Sequence, residues 1–480
     1  MSDLFRDRLE LTEFPSATLD AWRGAAEAAL KGRPLDKLTS KTPDGLSIGP
    51  IYQEDHTAAL PGASHDPGVF PYVRGARPVA GWRTVTEDGE PAFPADWSVV
   101  EAATIHERGG TAVQELAYAW TAGLKIIRAG LARGETVDQA VQHLGFTFAA
   151  GGEFFVMLAK LRAARFGWAR VVTACGGSEE AAGMVIHART SRWQQSVLDP
   201  HTNILRSTVS AYAAVLGGCD SLAVGAFDEV FASPDDLSRR LAVNTQRILR
   251  EECHAAAVAD AAGGSWFVES LTKELAEAAW AEFQKDEASD PSEAAQAQRQ
   301  ALSRRRRVMV GVNQYANAEE RPVTVTRQTG GERLAGEFEA RRTQARAYAE
   351  RHGAPPKIFL LTMGPLRQHK ARADFVRGFL EPGGFTVDYP AGFESAAVAV
   401  EAARQSGALA AVLCSTDATY PELVPAVLEA MGGALPVILA GYPTEQLDTY
   451  RDAGIADFIH LQADCGAFLA TWQDKLGVHG

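Results

Sequence analysis

The chain has 480 residues, more than one typical domain holds, and its 46% hydrophobic content is ample for two or three cores. Its formal net charge of −13 argues against a nucleic-acid scaffold. The charged start MSDLFRDRLELTEFP has no long apolar core, so neither a signal peptide nor a membrane span is expected. Cys175, Cys219, Cys253, Cys414 and Cys465 are scattered, with no CxxC pair or metal-finger spacing, and reduced thiols in a cytoplasmic protein are the simplest expectation.

In chain order, residues 1–80 read as an N-terminal arm and irregular structure, with one helix over Thr18–Lys31. Short extended pieces follow in LTSKTPDGLSIGPIYQ. The stretch 61–78, PGASHDPGVFPYVRGARP, is too rich in Pro and Gly to be anything but loop. From Gly81 to Tyr315 strands alternate with helices. Expected strands are Trp82–Val85, Ser98–Thr104, Arg170–Ala174, Val185–Ala188, Ser221–Val224 and Val308–Val312, and expected long helices are Thr111–Ala129 and Gly152–Trp168. Such alternation predicts a parallel sheet, most naturally closed as a (β/α) barrel. Only about six of the eight strands a barrel needs are visible. The deficit is local, because Thr86–Trp97 joins two strands through a dozen residues where βα units are expected.

The arginines 304–307 read as the solvated end of a helix, where cations favour the dipole. Residues 319–356 read as a linker with a helix over Leu334–Arg351. Residues 357–480 carry five short apolar runs, KIFLLTM, FTVDYP, ALAAVLCST, LPVILAG and DFIHLQ, which predict a flavodoxin-like doubly wound domain. There is no GxGxxG, GxxxxGK[ST], HExxH or GxSxG. Trp193 and Trp266 are expected to be packing residues.

Several stretches in the same order, HARTSRW, DPHTNILRSTVSAYAAVLGG, AFDEV, LAVNTQRILREECH and AGGSWFVESLT, resemble the barrel of the methylmalonyl-CoA mutase family. The resemblance implies a shortened or incomplete TIM-type barrel over 81–318 and a cobalamin-binding-like domain over 357–480. It implies adenosylcobalamin as the family's cofactor and acyl-CoA rearrangement as its chemistry.

The resemblance also assigns residues. His187 matches a strand-end His facing substrate, and Arg189 stands where active members usually carry Gln. Glu229 matches a Glu touching the adenosyl ribose, and Arg165 an Arg near the coenzyme A phosphate. As readings of the residues alone, Arg165 equally suits a helix-surface salt bridge and Glu229 a helix N-terminal acid. The family's substrate-binding His falls on Thr104, with His106 two residues on as a substitute. No Tyr stands between 73 and 100 where active members carry one. The family's Asp-x-His-x-x-Gly is GPLRQHKARADF here. His369 is the would-be cobalt ligand, but Arg367 replaces the Asp and Arg372 the Gly. Cobalamin is therefore not expected to bind this chain alone, with His369 the only metal-ligand candidate and a surface residue otherwise.

HERGGTAVQELAYAW and MGPLRQHKARADFVRGFLEPGGF resemble the family's small (β) subunit, which pairs with a catalytic large subunit. Such a subunit completes an enzyme that interconverts methylmalonyl-CoA and succinyl-CoA, while its own catalytic set is incomplete. Two other readings stay open on the residues: a self-sufficient mutase for another acyl-CoA, using His106 or His187, and a non-catalytic CoA-ligand or regulatory module.

Overall fold

The computed structural model describes residues 18–54, 61–86, 89, 91–285, 289–317, 320–321, 323–326 and 333–479. The arm before Thr18 and parts of the short-cut and linker lie outside them. Thr18 accepts the Ala21 N–H at 3.1 Å and starts α1 (Leu19–Ala29). Leu19, Trp22, Ala26 and Leu30 share one face at helical spacing, yet α1 buries no residue. β1 (Ser40–Lys41) and β2 (Ser47–Ile48) form a small antiparallel hairpin. Residues 61–78 are turns and loop, as their composition requires.

The first large unit runs β3 (Arg83–Val85), β4 (Ser98–Glu101), α2 (Ala103–Glu107), α3 (Ala112–Ala132), α4 (Val137–Val141), β5 (Leu144–Ala150), α5 (Phe154–Ala174), β6 (Val185–Thr190), α6 (Thr202–Leu216), β7 (Ser221–Ala223), α7 (Asp236–Arg247), α8 (Trp266–Phe283) and α9 (Pro291–Ser303). Its strands are all parallel, in the order β3-β7-β6-β5-β4. The sheet is open among the described residues. Its two edges, β3 and β4, are the strands that the short-cut joins, so the missing βα units are missing at one place.

One face of this sheet carries Phe146, Phe148, Ile186 and Leu222 into a core shared with Leu116, Trp120, Trp168 and Leu271 of α3, α5 and α8. The opposite face is where a closed barrel would enclose its interior. Here the short-cut itself crosses it. Arg83 Nη2 donates to Pro91 O at 3.0 Å, and Phe93 lies against Gly145 and edge-on to His187. A Cβ at Gly145 would collide with the Phe93 ring, so glycine is what admits the aromatic plug. Trp97 stacks on Phe93 from the other side.

The second unit runs α10 (Gly336–His352), β8 (Lys357–Thr362), α11 (Leu366–Leu380), β9 (Thr386–Asp388), α12 (Ala396–Gln405), β10 (Ala410–Cys414), α13 (Tyr420–Met431), β11 (Val437–Ala440), α14 (Leu447–Ala453), β12 (Ile455–Ile459) and α15 (Cys465–Lys475). All five of its strands are parallel, in the order β9-β8-β10-β11-β12. One face packs Ile358, Leu360, Val412 and Ile438 on Phe338, Phe379, Leu469 and Trp472. The other packs Phe359, Leu361, Leu413 and Leu439 on Val400, Val424 and Tyr450. The three central strands, β8, β10 and β11, are therefore buried on both sides, while the edge strands β9 and β12 are only partly covered.

Three expected strands need correction, and one strand was not expected. Arg170–Ala174 is the end of α5, not a strand, because helix burial against α3 and α8 continues through Val171 and Val172. Val308–Val312 is a turn with one isolated bridge, Val310 to Gln314, and Gly311 sits at φ +78. Ser98–Thr104 stops at Glu101 and turns into α2. Leu144–Ala150 is a fully buried strand that went unread.

Candidate functional site

The carboxyl ends of β5, β6 and β7 gather the polar groups, as parallel sheets with helices on one face tend to do. Glu229, just beyond β7, is buried and held three ways. Arg189 Nη2 reaches its Oε2 at 2.5 Å, Arg192 Nε reaches the same oxygen at 2.9 Å, and Gln195 Nε2 donates to Oε1 at 3.0 Å. Glu107 on α2 accepts the Arg192 backbone N–H at 3.1 Å. The Arg at 189 thus spends its charge on the neighbouring carboxylate.

His187 lies deeper on β6, with Nδ1 2.9 Å from Ser221 Oγ and Phe93 edge-on to the ring. Burial, with Arg189 and Arg83 nearby, lowers its pKa to about 4. His106 lies on α2, past the end of β4, and it is buried. Both its ring nitrogens lack a hydrogen-bond partner among the described residues. Burial first, then Lys160 and Arg307, holds its pKa well below the usual histidine range. Thr104 turns its hydroxyl back to Glu101 O at 2.7 Å.

Beside His106 lies a pair that the sequence reading missed. Lys160 Nζ donates to Glu115 Oε2 at 2.5 Å and to Ala149 O at 2.6 Å, and Glu115 Oε1 accepts the Ala149 N–H at 2.8 Å. Both side chains are fully buried. A lysine inside the apolar run VMLAKLRAA was the available signal, since Lys is almost never buried unless paired.

Arg165 is not brought to this end. It is buried on α5 and donates to four backbone carbonyls: Tyr72 at 3.0 Å, Val73 at 3.3 Å, Gly217 at 2.7 Å and Gly218 at 3.1 Å. It clamps the loop 61–78 to the turn before β7. Trp193 is buried as expected, whereas Trp266 is 45% exposed.

In the second unit, His369 sits in the first turns of α11. It is buried, not a surface residue, and its Nδ1 lies 3.0 Å from Gly364 O. A Cβ on Gly392 would approach its Cε1 to 2.8 Å, so a second backbone segment covers the ring. Arg372 fills the crevice outside the carboxyl ends of β10 and β11. Nη1 donates to Ala440 O at 2.9 Å, Nη2 pairs with Asp417 at 2.8 Å, and the guanidinium lies 5.0 Å over Tyr420. Ligand crevices of doubly wound sheets lie at such strand ends. These residues do not fit a corrinoid whose cobalt is ligated by His369, because the imidazole is turned into the protein and the crevice is occupied by a bonded guanidinium. Titration with a cobalamin should leave the cofactor's visible spectrum unchanged, with His369→Ala indistinguishable from the parent. A His-ligated spectrum that vanishes in the variant would contradict this geometry.

Among the described residues no group of three or more His, Cys, Asp or Glu side chains is arranged to hold a metal ion, and no helix is long and apolar enough to cross a membrane.

Residues 96–349, just over half of the chain, match the family model described as methylmalonyl-CoA mutase. A methylmalonyl-CoA mutase small subunit of Streptomyces virginiae is 38% identical over 402 residues, covering 79% of this chain and 64% of that protein. One of Porphyromonas gingivalis is 32% identical over 410 residues, 79% of this chain and 66% of its own. A methylmalonyl-CoA mutase of Rhizobium meliloti is 40% identical over 237 residues, but that covers 46% of this chain and 33% of the relative. The chain thus spans somewhat less than two thirds of the small subunits it matches. On the family model and these relatives together, the chain belongs to the methylmalonyl-CoA mutase family.

Proposed function

We propose that the chain acts as the small subunit of an adenosylcobalamin-dependent methylmalonyl-CoA mutase, supporting a catalytic large subunit that interconverts methylmalonyl-CoA and succinyl-CoA. The observation that carries this reading is that the chain fills its own chemistry-bearing positions. Phe93 plugs the inner sheet face, Arg189 and Arg192 neutralise Glu229, and Arg372 occupies the crevice above the second sheet. In this reading His187, Arg189, His106 and Glu229 are remnants of the family's site, kept for structure. Arg165 serves the fold rather than coenzyme A, and cobalamin belongs to the partner.

The first unit is read as a shortened (β/α) barrel over 81–318 after an N-terminal segment, 1–80. The linker 319–356 leads to a degenerate flavodoxin-like domain over 357–480, and a cytoplasmic location suits such an enzyme. What a partner would cover also supports the reading. The apolar face of α1 buries nothing, and Leu205, Val209 and Tyr212 on α6 are exposed together with Phe155. A self-sufficient mutase has no observation in its favour.

Co-expression with a mutase large subunit tests the proposal. The two chains should co-purify in equal amounts through size exclusion, across an interface larger than the standard ~1,600 Å². Elution of this chain alone, as a monomer that melts cooperatively with or without the partner, would sink it.

A further inference from the structure

Helix α6 reverses the usual polarity of a surface helix, which buries apolar residues and shows polar ones. It buries Asn203, Ser207 and Ser210, and its only exposed side chains are Leu205, Val209 and Tyr212. The inward polar groups hold the fold together. Asn203 Nδ2 donates to Ser196 O at 2.8 Å and to Phe227 O at 3.0 Å, and Ser210 Oγ donates to Gly151 O at 3.0 Å. Arg206, the helix's one charged residue, turns its guanidinium to Asn203 Oδ1 and Val310 O. What α6 offers to solvent is therefore an apolar stripe at spacings of four and three residues.

The stripe continues at both ends. Leu205 and Val209 line a hollow of about 570 Å³ with the exposed Val308 and Val310. Arg307 and Glu153 also line it, as an ion pair closed at 3.0 Å. At the other end Tyr212 lies 5.8 Å from the Phe154 ring, Phe154 5.1 Å from Phe155, and Phe155 5.1 Å from Phe267, which follows the half-exposed Trp266. Exposures of the uncovered side chains along this band run from 38% at Tyr212 to 67% at Leu205, which leaves on the order of 600 Å² of apolar side chain open to solvent. The largest such patch on a typical soluble monomer is about 300–600 Å², and it is often functional.

We infer that the stripe Leu205–Val209–Tyr212 is the docking surface for an apolar-striped helix of the catalytic large subunit, one of whose side chains anchors in the hollow beside Leu205 and Val209. The inference rests on the subunit reading above. Spacings of four and three residues are those at which two helices mesh side chains along a seam. The area suits a lasting partner, since one side of a standard interface buries about 800 Å² and this band supplies most of it. The hollow suits an anchor side chain of the kind that carries most of the binding energy. A second copy of this chain fits less well, because each copy brings a net charge of −13 and like charge opposes self-association.

The test is the affinity of the purified full chain for a methylmalonyl-CoA mutase large subunit of the same source organism, read by biolayer interferometry. Leu205→Glu and Val209→Glu each put a charge into the seam and should weaken binding about a hundredfold. Tyr212→Ala removes contact alone and should weaken it about tenfold. All three positions face solvent in the lone chain, so the variants should melt at the parent's temperature. Val398→Glu, at an exposed valine on α12, should bind as the parent does. Parent affinity in Leu205→Glu and Val209→Glu overturns the inference and leaves the subunit reading standing. No binding by the parent itself sinks that reading, and the inference with it. A lone chain that sediments as a dimer, and as a monomer after Val209→Glu, gives the seam to a second copy and overturns the choice of occupant.

Discussion

Replacing Lys160 by Met should destabilise the chain by about 3–5 kcal/mol, the cost typical of stranding one partner of a buried ion pair. Glu115 would keep its Ala149 N–H bond but lose its Lys160 partner, with His106 3.9 Å away and held neutral. Burial already raises the Glu115 pKa, so the stranded carboxyl would take up a proton. The pair Lys160→Met with Glu115→Leu should recover much of the loss, since two apolar groups of similar volume cost far less than one unpaired charge. Chemical denaturation of the three chains measures this. A Lys160→Met midpoint equal to the parent's would mean that the pair is not closed as described.

The second large effect is a pH dependence carried by His187. Its folded pKa is lowered to about 4, against an ordinary value near 6.5, mainly by burial and then by Arg189 and Arg83. A base with a depressed folded pKa binds its proton more readily when unfolded. Its contribution to stability is therefore intact above pH 6.5, falls as pH drops through the window to 4, and is lost below that. Two and a half pH units correspond to about 3 kcal/mol. Buried carboxyls with raised values, Glu107, Glu115 and Asp220 among them, work in the opposite direction. The comparison is therefore with His187→Gln across the same pH range. The parent should lose about 3 kcal/mol more than the variant between pH 7 and pH 4. Parallel stability curves would show that His187 titrates normally.

The two predictions separate what the residues could reveal from what they could not. The second sheet was legible throughout, because its central strands are buried on both faces and all five read as short apolar runs between helices. The first sheet was harder. Leu144–Ala150 is uniformly buried and rich in Gly, Ala and Phe, so no alternation marked it as a strand. Val171-Val172-Thr173 looked like a strand, but the packing of α5 on α3 and α8 overrides that local preference. The short-cut was visible as a length that could not hold βα units. That it folds inward was not, although Phe93 and Trp97 set among Pro91 and Pro94 were the cue. Arg372 was recognised as an obstruction from its position. Its bonds to Ala440 O and Asp417 depend on strands far apart in sequence, and the departures from the cobalamin motif left His369 to be read as a surface residue, whereas the fold buries it. Glu115 and Lys160 lie 45 residues apart on different helices, so only the packed fold pairs them.

The central claim is that this chain supports catalysis without performing it, and turnover of methylmalonyl-CoA measures that directly. With adenosylcobalamin supplied, the purified chain should form no succinyl-CoA. Each missing donor at a reaction centre can be worth on the order of 10²–10³ in rate, and the inner sheet face is filled by Phe93. Mixed with a mutase large subunit, the same preparation should raise that subunit's activity or its stability. Formation of succinyl-CoA by the chain alone, lost on His187→Ala or His106→Ala, would contradict the account.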